Sequence, residues 1–85
     1  MPLYTLIAKD RKKGLDQRMA YRPAHLEHMA RLDAAGRIQY GGPVLDDDGN
    51  MAGSLIIIEA DDLESARATF GKDPYMIHGV FEHYD

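Results

Sequence analysis

Two short segments hold the residue types from which proton-transfer chemistry is built. Arg22-Pro23-Ala24-His25 offers an imidazole with a guanidinium three positions before it, and Asp73-Pro74-Tyr75 offers a carboxylate with a phenol two positions after it. An imidazole oriented by a carboxylate is a general acid or base that works near neutral pH. The carboxylate also sets which ring nitrogen bears the proton. The two segments lie 48 positions apart, so only the fold can make them one site. At the opening of a helix, the positive helix end would disfavour the imidazolium at His25. A neighbouring Asp73 carboxylate would favour it. The two influences oppose each other, which suits a proton-moving group.

Arg22 and His25 share a helical face at a spacing of three. The Arg22 guanidinium can hold a substrate carboxylate through two parallel hydrogen bonds, or pair with Asp73 or Glu27 instead. Arg18 is a second, weaker candidate for the same task. Gly42 and Pro43 allow backbone to approach a ligand or a developing oxyanion, or form a plain turn. Tyr75 either closes a pocket with its ring and hydroxyl or packs as an ordinary tyrosine. His25 and His28 fall on one side of a helix, but zinc asks for three or four ligands and the chain has no cysteine. Asp46-Asp47-Asp48-Gly49-Asn50 resembles part of a calcium loop without its closing glutamate and reads as a hairpin turn. No phosphate-binding glycine loop and no Gly-x-Ser-x-Gly elbow occurs. Neither a metal nor another cofactor is expected.

The elements that must position these groups are few. At 85 residues the chain is one domain, 1–85, too small to bury a large core alone. Leu3 to Ala8 reads as a strand and Leu15 to Tyr21 as a short helical piece. Pro23 suits the first position of a helix, which places the main helix over Pro23 to Ala35 with Leu26, Met29, Ala30 and Leu32 as its apolar stripe and Gly36 as its stop. One continuous helix kinked at Pro23 is the alternative. Ile38 to Tyr40 is a short strand ending in Gly41-Gly42-Pro43. Gly53 to Ala60 is the strongest strand. Leu63 to Phe70 is a second helix capped by Asp61 or Asp62. Asp73-Pro74 is a turn, and Gly79 to Tyr84 is a last strand.

The order β-α-β-β-α-β is that of an α+β, ferredoxin-like domain: a four-stranded antiparallel sheet with both helices on one face. Leu55-Ile56-Ile57-Ile58 is apolar on both faces of its strand, whereas a strand with water on one side alternates. A second copy packed sheet to sheet covers the extra face; a lid from the C-terminal tail is the competing explanation.

Net charge is −4, which argues against nucleic acid as a partner. Seven of the basic residues lie before position 32, so a local positive region near Arg18 and Arg22 can still draw a small anionic ligand. There is no long apolar run and no signal-peptide pattern at the N-terminus, which makes a cytoplasmic protein with no membrane partner the expectation.

The set Arg22-x-x-His25-Leu26, Gly42-Pro43, Ala66, Asp73-Pro74-Tyr75 and Gly79-Val80-Phe81 resembles the YciI or YCII-related family of small dimeric α+β barrel proteins. The resemblance spans nearly the whole chain. It implies a ferredoxin-like homodimer with a pocket centred on a His–Asp pair, His25 and Asp73 here by position. Relatives implied by it include dehalogenases and muconolactone-isomerase-like enzymes acting on small ring-cleavage acids or lactones. Members usually continue further past the last strand than Asp85. The resulting expectation is a small enzyme-like protein working by acid–base chemistry on an organic acid or lactone, through isomerisation, halide elimination or hydrolysis. The alternative is a non-catalytic ligand-binding or interaction module on the same dimeric barrel.

Overall fold

The structure is a computed structural model that describes all residues, Met1–Asp85. In chain order the elements are β1 (Leu3–Asp10), α1 (Leu15–Ala34), β2 (Ile38–Leu45), β3 (Met51–Glu59), α2 (Leu63–Gly71), a one-turn helix α3 (Pro74–Ile77) and β4 (Phe81–Tyr84). The four strands form one antiparallel sheet in the order β2-β3-β1-β4. This is the ferredoxin-like α+β architecture that the element order predicts. No helix is long and apolar enough to cross a membrane.

Alternation along the strands sets the two faces. In β1, Leu6, Ala8 and Asp10 point inward and are buried, while Leu3, Thr5, Ile7 and Lys9 point outward. In β3, Ser54, Ile56 and Ile58 point inward; Leu55 and Ile57 face the other way and are half-buried. Ala66 and Phe70 of α2 join Leu6, Ala8, Ile56, Ile58, Tyr75, Val80 and Phe81 in the core. Asp62 caps α2 through its side chain, which accepts from the Ser65 amide at 2.7 Å.

Three sequence expectations are corrected here. The main helix does not begin at Pro23: α1 runs unbroken from Leu15 with Pro23 inside it. Pro23 cannot donate to the Met19 carbonyl, but both residues are exposed, so water can reach the orphaned oxygen and the cost of the proline falls. Of the expected apolar stripe of α1 (Leu26, Met29, Ala30 and Leu32), Met29 and Leu32 are half-buried but Leu26 and Ala30 are exposed. Leu26 is 45% exposed, and the inward residues are Arg18, His25 and His28, with Tyr21, Arg22, Met29 and Leu32 half-buried beside them. Finally, β2 does not stop at Tyr40 but continues through Gly41-Gly42-Pro43. As an edge strand it tolerates a proline, which has no amide hydrogen to give to a ladder.

Smaller differences follow the same local logic. Asp73 begins a helical turn rather than a bare turn, and the last strand starts at Phe81 instead of Gly79. The end of α1 is as expected. Gly36 sits at φ +73°, and the Gly36 and Arg37 amides donate to Asp33 and Leu32, which satisfies two terminal carbonyls.

Candidate functional site

α1 lies across the β2–β3 half of the sheet and leaves a cavity of about 200 Å³ beneath it. Arg18, Arg22, His25 and Met29 recur along α1 at spacings of four, three and four, the repeat of one helical face, and all four line the cavity. From the sheet, Gly41, Pro43, Ser54 and Ile56 form the opposite wall. The α1 wall thus carries two guanidiniums, an imidazole and a thioether, and the sheet wall is mostly small or apolar.

α3 brings the carboxylate. Asp73 is the N-cap of α3, and its Oδ1 accepts from the Tyr75 amide at 2.9 Å. The short helix docks on α1 through Tyr21, whose ring stacks on His78 at 4.1 Å, and through Gln17, which donates to the His78 carbonyl at 3.0 Å. That docking carries Asp73 to His25: Nδ1 of His25 lies 2.9 Å from Oδ1 and 2.8 Å from Oδ2 of Asp73. Both residues are buried. An ionised carboxylate only accepts, so Nδ1 carries a proton and Nε2 is left as the nitrogen with a lone pair. His25 lines the cavity, and no protein group bonds its Nε2.

The two arginines of the stripe differ. Arg18 is 2% exposed and almost fully committed. Its Nε donates to Asp10 at 2.6 Å, and its Nη2 donates to Asp10, the Gly53 carbonyl and Ser54 Oγ at 3.2, 2.6 and 2.6 Å. Asp10 balances its charge. Arg22 forms no ion pair with Asp73, Glu27 or any other acid, so the cavity keeps one uncompensated guanidinium on its wall. Burial pushes the Tyr75 phenol above its usual range, against the pull of Arg18 and Arg22, so the ring stays neutral. Burial also pushes His28 below the ordinary histidine value, opposed by the nearby Asp73 carboxylate. No group of three or more His, Asp or Glu converges as a metal site would require.

The residues singled out in the sequence therefore gather in one place. His25 and Asp73 are bonded, Arg22, Gly42 and Pro43 line the same cavity, and Tyr75 lies wholly buried against the His25 ring. The helix-end argument for His25 does not apply, because His25 stands in the middle of α1, ten residues past its first residue Leu15. Arg18 carries far more of the site than its secondary place in the sequence reading suggests. Its signal is the spacing of four to Arg22 and seven to His25, visible once α1 is read as continuous. Asp10 and Ser54, which hold Arg18, leave no local signature beyond inward parity on their strands.

The sequence model of the YCII-related domain matches residues 2–85. Protein YciI of Escherichia coli is 38% identical over 87 residues, covering 95% of this chain and 89% of its own length. In Emericella nidulans, the derivative of benzaldehyde biosynthesis cluster protein C is 38% identical over 70 residues, 74% of this chain and 71% of that protein. Among solved structures, the 5-chloro-2-hydroxyhydroquinone dehydrochlorinase TftG of Burkholderia phenoliruptrix, in complex with 2,5-dihydroxybenzoquinone, superposes with a TM-score of 0.88 at 32% identity. The match covers 99% of this chain and 89% of that one.

Proposed function

The chain belongs to the YCII-related family, and from that premise and the cavity we propose that it is an enzyme of acid–base chemistry acting on a small, singly anionic, oxygenated ring compound or lactone. The observation that carries the reading is the buried imidazole whose Nδ1 meets both oxygens of Asp73, at 2.8 and 2.9 Å, on the wall of a cavity with an unpaired arginine.

In this reading Nε2 of His25 removes a proton from a ring carbon or hydroxyl, and the Asp73 carboxylate stabilises the imidazolium that forms. Arg22 holds the substrate's carboxylate or phenolate. Gly41 and Gly42 bring the β2 backbone to the cavity wall beside the developing negative charge. Met29, Leu26, Pro43 and Ile56 receive the apolar edge of the ring. Such a site suits isomerisation or the loss of a halide beside an acidic proton, since both ask for a base and neither asks for a nucleophile. The dehydrochlorinase activity in TftG's name is of that kind.

The same reading includes a second copy of the chain. On the sheet face away from the helices, Leu3, Ile7, Tyr40 and Val44 are 56, 58, 52 and 45% exposed. Leu55 and Ile57 lie between them in the strand pairing. A patch of this kind on a small domain favours sheet-to-sheet association.

The test is His25→Ala assayed on chlorinated hydroxyhydroquinones and muconolactones, with 2,5-dihydroxybenzoquinone as a binding probe. A loss of about 10²–10⁴ in turnover is expected for a positioned acid–base group. Turnover by the wild-type chain that survives the substitution overturns the assignment, and a chain that binds the probe but turns over none of these compounds points to a binding module.

A further inference from the structure

Tyr75 has no exposed surface, and its hydroxyl is buried without a hydrogen-bond partner. A buried unpaired hydroxyl is unfavourable, so the packing here is made by the ring. That ring lies flat against His25, with centroids 4.0 Å apart and planes within 10°. The Arg18 guanidinium carbon sits 4.6 Å from the same centroid. Two groups at these separations cannot share one face of a six-membered ring, so they take opposite faces. Arg18 and His25 are two helical turns apart on α1, and the tyrosine ring fills the slot between them. Phe81 meets its edge at 5.7 Å and 73°.

The bond to Asp73 holds Nδ1 but tolerates tilting of the imidazole through its Cα–Cβ and Cβ–Cγ torsions. A flat contact on the ring face limits that tilt. Asp73 and Tyr75 come from one three-residue segment, and they are tied to each other because Oδ1 of Asp73 also accepts from the Tyr75 amide. We propose that Tyr75 is the positioning residue for His25: its ring face sets the imidazole plane, and Arg18, itself anchored by Asp10, Gly53 and Ser54, backs the far side of that ring. This rests on the reading of His25 as the proton-moving group. The sequence offers Tyr75 as a pocket-closing or a packed residue; it borders the cavity, and its role here runs through His25.

The experiment is NMR of the His25 side chain in the wild-type chain and in Tyr75→Phe and Tyr75→Leu, with folding checked by circular dichroism. In the wild type, the His25 ring protons resonate upfield of those of exposed His83, as stacking requires. Tyr75→Phe keeps the Nδ1–H tautomer of His25 and its exchange lifetime. Tyr75→Leu shortens the Nδ1–H lifetime by about three- to tenfold, the scale of one aromatic pair. Where turnover is measurable, it lowers kcat more than it raises KM, with rescue by phenylalanine. A folded Tyr75→Leu with His25 unchanged overturns the proposal. So does Tyr75→Phe disturbing His25 as much as leucine does, which would give the role to the hydroxyl. If the leucine variant fails to fold, the wild-type ring shift and the phenylalanine variant still decide. The NMR readouts need no turnover, so they stand apart from the outcome of His25→Ala.

Discussion

Replacing Asp73 with asparagine separates two tasks that one carboxylate performs. Oδ1 caps α3 by accepting from the Tyr75 amide, and both oxygens face Nδ1 of His25. In Asp73→Asn the amide oxygen can keep the cap at the Oδ1 position, which puts the NH₂ group at the Oδ2 position, against an Nδ1 that also bears hydrogen. Two donors cannot bond. The amide oxygen still lies 2.9 Å from Nδ1 but is shared with the Tyr75 amide, so the clash with the NH₂ group is relieved when the imidazole moves its proton to Nε2 and Nδ1 accepts from the asparagine. Turning the amide over instead sets its NH₂ against the Tyr75 amide and gives up the cap. A charge-assisted hydrogen bond contributes about 1.5–3 kcal/mol and a neutral one about 0.5–1.5. Asparagine therefore costs about 1 kcal/mol, or about 4–8 °C in Tm for a domain of this size. Asp73→Ala also deletes the cap, which adds about 1 kcal/mol. The chemistry responds differently. With its proton on Nε2, the imidazole has no lone pair for the substrate, and turnover falls by about 10²–10⁴. Asparagine should thus remove activity at small cost in stability, and alanine should remove both. ¹⁵N chemical shifts of the His25 ring report the tautomer directly, with thermal unfolding and turnover beside them. An Asp73→Asn chain that keeps the proton on Nδ1, or that keeps full turnover, refutes the reasoning.

Three further outcomes follow from named contacts. Arg18→Met leaves Asp10 charged and buried without its partner, a loss of about 3–5 kcal/mol, whereas Asp10→Leu combined with Arg18→Met recovers much of it; urea midpoints measure both, and a single-variant cost under about 1 kcal/mol contradicts the buried pair. Stability should decline at both ends of the pH range. Burial lowers the proton affinity of folded His28 below its ordinary 6.5, so the unfolded chain binds that proton more readily and stability falls as pH drops through 6.5 toward the folded value. Tyr75 is raised above its ordinary 10.0, so the unfolded chain loses that proton first and stability falls as pH rises past about 10. His28→Gln should flatten the acid limb of Tm against pH below 6.5, and an unchanged limb rejects the assignment. Ile7→Glu sets a charge on the apolar sheet face opposite Leu55 and should convert a dimer to monomer in sedimentation equilibrium; a wild-type chain that is monomeric at micromolar concentration removes the basis of that expectation.

Most of the architecture is legible because local signals agree with tertiary context. A run of β-formers marks β1, the doubly apolar Leu55-Ile56-Ile57-Ile58 run marks a central strand, and Asp61-Asp62 marks the start of α2. The misreadings share a cause. Proline and glycine preferences are rules about local cost, and that cost depends on exposure. Pro23 sits on the wet side of α1, and Pro43 sits on an edge strand, so each is accommodated inside an element that it would elsewhere end. The search for an apolar stripe also misplaced the inner face of α1. Met19 and Leu26 point outward while Arg18, His25 and His28 point in, because this helix turns its site toward the sheet.

That inversion links the site to the proposed sheet-to-sheet association. Of the 18 buried residues, Asp10, Arg18, His25, His28, Ser54, Thr69 and Asp73 are polar or charged. An interior of this kind is costly in a domain of 85 residues, because buried ion pairs gain little over apolar residues of the same volume and a small chain has little apolar area to offset them. The same chain leaves Leu3, Ile7, Tyr40 and Val44 exposed on the other side of the sheet. The two features complement each other. One face of the sheet is given to a polar cavity under α1, and apolar burial is available on the opposite face only if another surface covers it. A substitution that weakens association, such as Ile7→Glu, should therefore lower thermal stability as well as molecular mass, although it lies on the face of the sheet opposite His25.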